Sequence, residues 1–578
     1  MRRVLIGLFL VPLVSYGLLT VWLLFFILGS SYNECIDQII GWVGEPQYGD
    51  LIKNTYLTES TFQVAQYLSL FISACLFLTL VVFFYKRKEL RNFFQRVMKA
   101  SFSDPNSKVK LISGSVVILF VLFFLRHVYF LWTYDITYDE AWSFLHFTYT
   151  HPILIFFSPN NNHIIYTFYS FIFHQFFDGD LAIRLPVILS SCLVVWIFAR
   201  MIHYFFKGER IIGPLLLIMC LPAIGIYGFH GRGYIFEMLA CLISVWSLLK
   251  MVQPETKDKR IYLAIACLAN VFGIWSVPTH GILVIIECVF LVWIQPFKQG
   301  TKAAFFLSAF ALLSSFILLP SWWAITLPAL FTADITMNST QSTTWWDYVN
   351  RVSDWLFFGG GRGKIIFPFV CIFLLLQGMI LYNTRKKRLD STYHFLLLSF
   401  LIAASPFIVS IFLPIFLPYR IWCFVGPFYC ILFIGTVNYF QIHKQNRIVI
   451  YIGTSLFFSW ISFQHYFINW SYDLDHKASV LSTTMMDQGV DTCYVFSTYD
   501  QPLIQYHYAK SEAKVTLYMR SPSSQFHRTL DVNFIPPFLL YDIEDYQSDV
   551  SENHFIDSHY HDTIYQDDRL ILYKRANY

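Results

Sequence analysis

Apolar residues are grouped along most of the chain into long blocks, which short polar segments separate. A block of about 17 to 25 apolar residues is long enough to cross a hydrocarbon core about 30 Å thick as an α-helix. By this criterion we predict about thirteen membrane spans. They are expected at residues 4–29, 66–85, 111–132, 181–206, 211–229, 234–251, 261–276, 279–295, 303–321, 365–382, 393–416, 421–440 and 447–468. A shorter apolar stretch at 163–177 is typical of an amphipathic helix that lies on the membrane surface.

Basic residues fall on alternate loops between these blocks. The basic loops contain Arg2 and Arg3, Lys86 to Lys88, Lys207 and Arg210, Lys257 to Arg260, Lys298 and Lys302, Arg385 to Arg388, and His443 to Arg447. Because cytoplasmic loops are enriched in Lys and Arg, we predict that this face is cytoplasmic. The N-terminus is then inside, and the C-terminus lies outside. The outer segments are expected at about 30–65, 133–180, 322–364 and from Ser471 onwards.

The C-terminal segment differs in kind from the rest of the chain, since it is polar and contains many acidic, Tyr and His residues. Short runs at 493–497, 514–518, 538–542 and 570–573 are typical of strands, and 501–510 could form a helix. We therefore predict a polytopic α-helical membrane protein with a small C-terminal α/β domain on the periplasmic side. The predicted parts are a transmembrane hairpin at 1–105, a membrane domain at 106–470 and the outer domain at 471–578.

Composition agrees with this interpretation and excludes other classes. Charged residues make up 13% of the chain and apolar residues 56%, whereas about a quarter of the residues of soluble domains are charged. The net charge is only +4. The sequence therefore favours a multi-pass protein, with a bacterial inner membrane as the expected location. It argues against a nucleic-acid-binding protein.

An acidic pair, Asp139 and Glu140, directly follows the predicted third span. A carboxylate at the lipid–water boundary can act as a general base on a hydroxyl while the other reactant stays anchored in the bilayer. A nearby low-dielectric environment would raise its proton affinity. The alternative is a solvated acidic pair at a helix end.

Four arginines lie toward the predicted outer face, against the charge bias of the loops. They are Arg126, Arg184, Arg232 and Arg420. A guanidinium group matches a phosphate with two parallel hydrogen bonds, and ionisable groups within spans are candidates for function. We predict that these arginines bind an anionic lipid headgroup, the alternative being that each extends to the membrane surface on its own. Glu237 and Glu287 also lie inside predicted spans, and Glu237 is a candidate partner of an arginine.

A third polar feature precedes the predicted surface helix. Asn161, Asn162 and His163 offer hydrogen bonds suited to sugar hydroxyls or a phosphate, the alternative being a turn with a helix cap. A cluster near the C-terminus contains possible metal ligands at His554, Asp557, His559, His561 and Asp562, but no regular element fixes their spacing. The glycine-rich stretch at 359–364 lacks the features of a nucleotide-binding loop.

Together these features resemble a known family. The similar segments are Tyr138–Trp142, Asn160–Tyr166, Asp180–Pro186, Gly231–Tyr234, and Tyr419–Arg420 followed by Pro427. Their order and common sidedness resemble the GT-C type membrane glycosyltransferases that use polyprenyl-phosphate sugars. The protein O-mannosyltransferase-like and lipid A aminoarabinose transferase-like branches are the most similar.

The resemblance implies a mechanism and a set of site residues. Asp139, with Glu140 beside it, would be the catalytic base, and the arginines, above all Arg232 and Arg420, would bind the donor phosphate. Tyr234 would join the substrate-binding residues. A sugar would pass from a polyprenyl-phosphate donor to a hydroxyl of a glycan, lipid or protein, with inversion, and a divalent ion is a candidate cofactor.

Two other classes remain open from the sequence. One is a polymerase or ligase of lipid-linked glycans, which would rest on Arg and His in a long outer loop and would not need Asp139. The other is a transporter or flippase of an anionic lipid-linked substrate, in which the arginines would form the translocation path. Neither the sugar nor the acceptor follows from the residues.

Overall fold

A computed structural model describes residues 2–43, 58–89, 92, 114–149, 163–206, 209–256, 258–318, 344–358, 366–385, 390–412, 419–463, 474–495, 500–511, 513, 515–519, 538–542, 560–566 and 570–575. Some predicted features lie outside these residues. They are Asn161, Asn162, the glycine-rich stretch at 359–364 and most of the His/Asp cluster near the C-terminus.

The described residues are mainly helical. The helices are α1 (Arg2–Gly29), α2 (Tyr32–Val43), α3 (Glu59–Tyr85), α4 (Gly114–Thr133), α5 (Tyr138–Ser143), α6 (Ile164–His174), α7 (Gly179–Phe205), α8 (Ile212–Cys220), α9 (Pro222–Tyr227), α10 (Tyr234–Val252), α11 (Lys259–Ser276), α12 (Gly281–Ile294), α13 (Phe297–Leu318), α14 (Trp345–Phe358), α15 (Phe367–Thr384), α16 (Ser391–Phe412), α17 (Gly426–Tyr439), α18 (Lys444–Phe463), α19 (Leu474–Asp487) and α20 (Asp500–Lys510). A π-helical turn, Phe144–Thr148, follows α5, and 3-10 turns at Pro278–His280 and Tyr419–Val425 precede α12 and α17.

Each of the apolar blocks coincides with one or two of these helices. Within the described part of the chain, 6 helical segments are long and apolar enough to cross a membrane. They are Gly114–Thr133, Gly179–Phe205, Tyr234–Val252, Phe367–Thr384, Ser391–Phe412 and Tyr419–Tyr439. The chain is thus an integral membrane protein, and a total of about thirteen spans stays a prediction.

The block at 211–229 is divided into α8 and α9. The break falls at Leu221, and Pro222 opens the second helix. Proline is suited to a first helical position. The N–H group of a residue there has no acceptor within the helix, so its absence in proline costs no hydrogen bond. The segment therefore changes direction before it reaches the turn that carries Arg232.

Exposed apolar side chains distinguish the rim of the helical bundle from its centre. Helix α4 exposes Val117, Val121 and Leu125 on one side, as expected for a surface that faces lipid tails rather than water. Helix α10 is instead buried almost throughout and packs against α7 and α11. The core of the bundle therefore lies around α10, whose first turn is close to the candidate site.

The C-terminal residues form a five-stranded mixed sheet. Its strands are β1 (Thr492–Val495), β2 (Thr516–Met519), β3 (Phe538–Asp542), β4 (Tyr560–Gln566) and β5 (Leu570–Arg575), in the order β2-β1-β3-β5-β4. Strands β1, β2 and β3 are parallel, and β5 is antiparallel to β3 and β4. Four of these strands overlap the runs recognised in the sequence. Cys493, Leu540 and Leu572 share a separate apolar core with helices α19 and α20.

Helix α20 joins this sheet to the membrane bundle. Tyr506 donates a hydrogen bond to Asp180 at the start of α7, and Lys510 Nζ lies 2.9 Å from the same carboxylate. The Tyr506 ring packs edge-on against Phe144, with 5.5 Å between ring centroids. Gly179 has a φ of +48°, a conformation that glycine adopts without strain. The C-terminal sheet is thereby fixed above α5 and the first turn of α7.

Candidate active site

Helix α5, which carries the acidic pair, begins with a capping box. The Thr137 hydroxyl accepts a hydrogen bond from the Glu140 N–H at 3.3 Å, and the Glu140 carboxylate accepts one from the Thr137 N–H at 3.0 Å. This is the Thr-x-x-Glu pattern that satisfies the free N–H groups of a first helical turn. It turns Glu140 toward the protein, while Asp139, about 100° away around the helix, points elsewhere.

Glu140 is fully buried and forms an ion pair with Arg184, which is also fully buried. Arg184 donates from Nε to one carboxylate oxygen at 2.9 Å and from a terminal nitrogen to the other at 2.7 Å. The Gly231 N–H donates a third bond at 2.5 Å. Burial alone would raise the pKa of Glu140, but the charge and hydrogen bonds of Arg184 outweigh it and lower this pKa to about 2. Glu140 is therefore ionised.

The other donors of Arg184 hold the segment between α4 and α5. They bond to the carbonyl oxygens of Tyr134 at 2.6 Å and Asp135 at 2.7 Å. A guanidinium group has five N–H donors in a planar fork, and here they are divided between the Glu140 carboxylate and backbone carbonyl oxygens at the end of α4 and in this segment. Arg184 thus connects α7 to the acidic pair from within the protein.

Asp139 lies on the other side of α5, with 23% of its side chain exposed. One carboxylate oxygen is 3.0 Å from a terminal nitrogen of Arg420 and 3.5 Å from one of Arg232. Arg232 is nearly buried and also donates to the Ser143 hydroxyl at 3.2 Å. Arg420 is 41% exposed. The structure therefore brings a partly accessible carboxylate together with two of the predicted arginines.

The turns that carry these arginines are tightly packed. A Cβ atom at Gly231 would collide with the Ile183 side chain and approach the Tyr166 hydroxyl to 2.5 Å. The turn with Arg420 is fixed by Trp422, whose indole N–H donates to the Tyr348 hydroxyl of α14 at 2.9 Å. Both arginines are thus presented by rigid segments.

His163 lies next to this group at the start of α6. Its Nδ1 is 2.8 Å from the carbonyl oxygen of Ser276, so Nδ1 carries the hydrogen and Nε2 has a lone pair. The ring packs edge-on against Tyr234, with 4.9 Å between centroids. Nε2 is buried and has no partner among the described residues. Burial, reinforced by the Arg232 charge, holds the pKa of His163 well below its ordinary value, so the ring is neutral.

The remaining predicted residues are more distant or cannot be placed. Arg126 lies within α4, half-buried, with its guanidinium 5.1 Å from the centre of the Phe123 ring. Across the described segments, no group of three or more His, Cys, Asp or Glu residues could hold a metal ion. The sequence missed the contributions of Ser143, Ser276 and Tyr166, whose residue types carry no distinctive pattern.

Comparison with known proteins identifies the fold. No family model and no curated protein sequence matches the chain. Among solved structures, the chain is similar to that of ArnT from Cupriavidus metallidurans bound to undecaprenyl phosphate. The TM-score is 0.57 at 11% sequence identity, and the match covers 80% of this chain and 98% of ArnT. The chain therefore has the fold of ArnT, as expected from the resemblance to GT-C glycosyltransferases.

Proposed function

We propose that this protein is a membrane glycosyltransferase that moves a sugar from a polyprenyl-phosphate donor to an acceptor hydroxyl. The observation that carries this proposal is the partly exposed Asp139 carboxylate between Arg232 and Arg420. The fold supports the proposal as well, because the chain is similar to ArnT, whose structure contains undecaprenyl phosphate. The reaction would take place at the outer face of a bacterial inner membrane, since the basic loops lie on the opposite side of the predicted topology.

Asp139 acts as the general base in this mechanism. It takes the proton of the acceptor hydroxyl as the oxygen attacks the anomeric carbon and forms the new glycosidic bond. The bond from the anomeric carbon to the phosphate oxygen breaks on the opposite face, and its electron pair stays on the lipid phosphate. Attack opposite the leaving group inverts the configuration of the sugar.

The two arginines stabilise the leaving phosphate. Arg420 is exposed enough to turn from Asp139 to a phosphate, while Arg232 is fixed by Ser143 and by the backbone oxygen of Asp139. Arg232, a charged hydrogen-bond donor held in place before the reaction, stabilises charge as it develops on the leaving group, whereas Arg420 mainly binds the phosphate. Arg126 is a further proposed contact of the donor, deeper in α4.

Glu140 and Arg184 have a different role in the proposal from the one predicted from the sequence. Both are fully buried, and their polar atoms bond to each other and to the backbone. We therefore assign them to positioning α5 rather than to catalysis or phosphate binding. This change follows from the burial of the pair, which a linear sequence does not reveal.

The neutral side chains next to Asp139 and the two arginines are suited to binding the sugar of the donor. The lone pair on His163 Nε2 accepts a hydrogen bond from a substrate hydroxyl, and a neutral ring offers no positive charge to a phosphate. Tyr234, against which the ring packs, supports its orientation. Asn161 and Asn162, which immediately precede His163, are proposed as additional contacts of sugar hydroxyls.

The test uses purified full-length protein in lipid nanodiscs with a radiolabelled sugar on a polyprenyl phosphate. Release of polyprenyl phosphate in the presence of an acceptor extract is expected, with a loss of about 100-fold or more in Asp139→Asn, the range for removal of a general base. Asp487→Asn, at an exposed position on α19, is the matched control and should retain full activity. Full activity of Asp139→Asn, or substrate movement without bond cleavage, would reject the proposal in favour of a ligase or a flippase.

A further inference from the structure

A second polar cluster lies inside the helical bundle, away from the acidic pair. It is formed by Glu237 and Ser244 on α10, Asn270 on α11, His280 in the turn before α12, and Glu287 on α12. All five side chains are essentially fully buried. Ionisable groups are costly in such surroundings and are retained there mainly when they have a function.

The cluster forms a chain of contacts with Glu237 at one end and Glu287 at the other. Glu287 accepts hydrogen bonds from Ser244 and from the Asn270 amide, each at 2.6 Å. His280 Nε2 is 2.9 Å from the other end of the Asn270 amide. His280 Nδ1 is 3.8 Å from Glu237. Both Glu237 oxygens and His280 Nδ1 are buried and lack hydrogen-bond partners among the described residues.

Hydrogen-bonding rules relate the protonation of Glu237 to that of Glu287 through the Asn270 amide and the His280 ring. If Asn270 donates to an ionised Glu287, its oxygen accepts from His280, so the hydrogen of the neutral imidazole is on Nε2. Nδ1 then has a lone pair that faces Glu237. Two facing acceptors repel each other in a buried site, so Glu237 must carry a proton.

The opposite arrangement satisfies the same rules. If Glu287 is protonated, it donates to the oxygen of a reversed Asn270 amide, and the amide donates to His280 Nε2. The imidazole hydrogen is then on Nδ1 and faces an ionised Glu237. Each arrangement holds one carboxyl proton, at opposite ends of the chain, and the two differ by a tautomer change at His280 and a flip of Asn270.

We propose that Glu237, His280, Asn270 and Glu287 form an intramembrane proton-binding relay, in which the two carboxyl groups share one proton. The ligand of this site is a proton. The proposal does not depend on the glycosyltransferase assignment, because it rests on contacts within α10, α11 and α12. A proton held at either end explains how two buried acids are accommodated without an Arg or Lys partner among the described residues.

The Glu237 end of the relay is close in the chain to the candidate active site. The Glu237 N–H donates to the Gly233 carbonyl at 3.0 Å, and His280 follows Ser276 by four residues. Gly233 and Ser276 are the positions against which His163 packs. Gly273 leaves room for the imidazole of His280, because a Cβ atom there would collide with the ring. The relay is therefore connected to His163 through Gly233 and Ser276.

Infrared spectroscopy of the full-length protein in lipid nanodiscs tests the relay directly. A protonated carboxylic acid has a carbonyl stretch apart from that of a carboxylate, and it shifts when H₂O is exchanged for D₂O. At neutral pH the wild-type protein is expected to show such a band. The Glu237→Gln/Glu287→Gln double variant should lose it, whereas each single variant should keep a band with the same integrated area as the wild-type band, since the one shared proton stays on the remaining acid. Glu89→Gln, at an exposed position, is the matched control and should leave the band unchanged.

Three outcomes would overturn the proposal. The first is a wild-type spectrum without a protonated-carboxyl band, a measurement that does not depend on whether any variant folds. The second is a band that is unchanged in the double variant, which would place the protonated acid elsewhere. A band that appears only when Na⁺ is replaced by choline would identify a metal cation as the occupant and would also reject a proton site.

Discussion

The guanidinium group of Arg420 lies 3.0 Å from the carboxylate of Asp139, although the two residues are 281 positions apart in the chain. Asp139 also contacts Arg232, so its negative charge is shared between two cations. In the proposed reaction the lipid phosphate takes over one of these contacts, which frees the carboxylate to accept a proton. The ion pair is therefore a resting arrangement that substrate binding rearranges.

Arg420 is expected to contribute mainly to binding of the donor. Replacing it with Ala should raise the KM for the polyprenyl-phosphate sugar by about tenfold, the lower end of the range for a charge-assisted hydrogen bond, because the side chain is partly exposed. Arg420→Lys should recover part of this loss, since a lysine keeps the charge but not the fork. Steady-state kinetics would measure both. Arg210→Ala, at an exposed position, is the control, and an unchanged KM in Arg420→Ala would contradict a phosphate-binding role.

The Glu140–Arg184 pair is expected to matter for stability. Glu140→Gln leaves a buried guanidinium without its counter-ion and should destabilise the protein by about 3–5 kcal/mol. Glu140→Leu/Arg184→Met removes both charges and should cost less than the single variants Glu140→Leu and Arg184→Met added together. Thermal unfolding in detergent provides the comparison. An unchanged melting temperature with abolished turnover would instead restore Glu140 to a catalytic role.

The low pKa of Glu140 also predicts how this stabilisation depends on pH. The ordinary pKa of a glutamate is 4.5, and in the folded protein it is about 2. Stability from the pair is therefore fully present above pH 4.5 and is lost as the pH falls toward about 2, because the unfolded chain binds the proton first. Wild-type protein should lose more stability over this range than Glu140→Gln. Parallel unfolding curves for the two proteins would show that the pair is not the cause.

His163 is expected to bind a substrate hydroxyl without titrating near neutral pH. His163→Asn keeps a donor for the Ser276 carbonyl but removes the acceptor at Nε2, and it should raise the KM for the sugar substrate by about fivefold, the value of one neutral hydrogen bond. His163→Gln, which can place an oxygen near Nε2, should be milder. Because the pKa of His163 lies well below its ordinary value of 6.5, all three proteins should have the same pH–rate profile between about pH 6 and 8. A rate that falls below about pH 6.5 in the wild type alone would contradict a neutral His163 ring.

Gly231 is expected to tolerate no side chain. In Gly231→Ala the added methyl group would collide with Ile183 and crowd Glu140, so the turn with Arg232 should shift and turnover should fall by about 100-fold, the scale of a misplaced catalytic group. Gly378→Ala on α15 is the matched control, because nothing lies within 4 Å of its added Cβ. Turnover assays on both variants make the comparison. Equal activities would show that the Gly231 turn can move without consequence.

Local sequence patterns predicted the long apolar helices, because these depend on neighbouring residues, but they did not predict α2, α14 and α19 in the expected outer segments. Apolar blocks marked the long helices, whereas the capping box that the Thr-x-x-Glu pattern at 137–140 forms was not predicted, although it is also local. The strand at Tyr560–Gln566 was missed, since its polar residues do not form an apolar run. The sequence did not predict which residues far apart in the chain would contact each other, and the reason is different. Whether Arg184 meets a phosphate or Glu140 depends on how α7 packs against α5, and no local rule contains that information.

The same limit applied to the acidic residues within the bundle. Glu237 was a candidate partner of an arginine, but the structure places it opposite His280. A glutamate inside a span indicates that another group must offset its burial. Only the packing of α10 against the turn before α12 shows that the facing group is His280. The different burial of Asp139 and Glu140 was likewise hidden, because adjacent residues of a helix point in different directions.

The attachment of Asp180 to Tyr506 and Lys510 has a consequence for how the molecule is made. The start of α7 carries Arg184, which holds the acidic pair, and it contacts residues 326 and 330 positions later in the chain. A nascent chain that has completed the helices of the bundle still lacks these two contacts to Asp180. The start of α7 can therefore reach its final arrangement only after α20 has been synthesised, and a chain truncated before residue 506 would lack both contacts to Asp180.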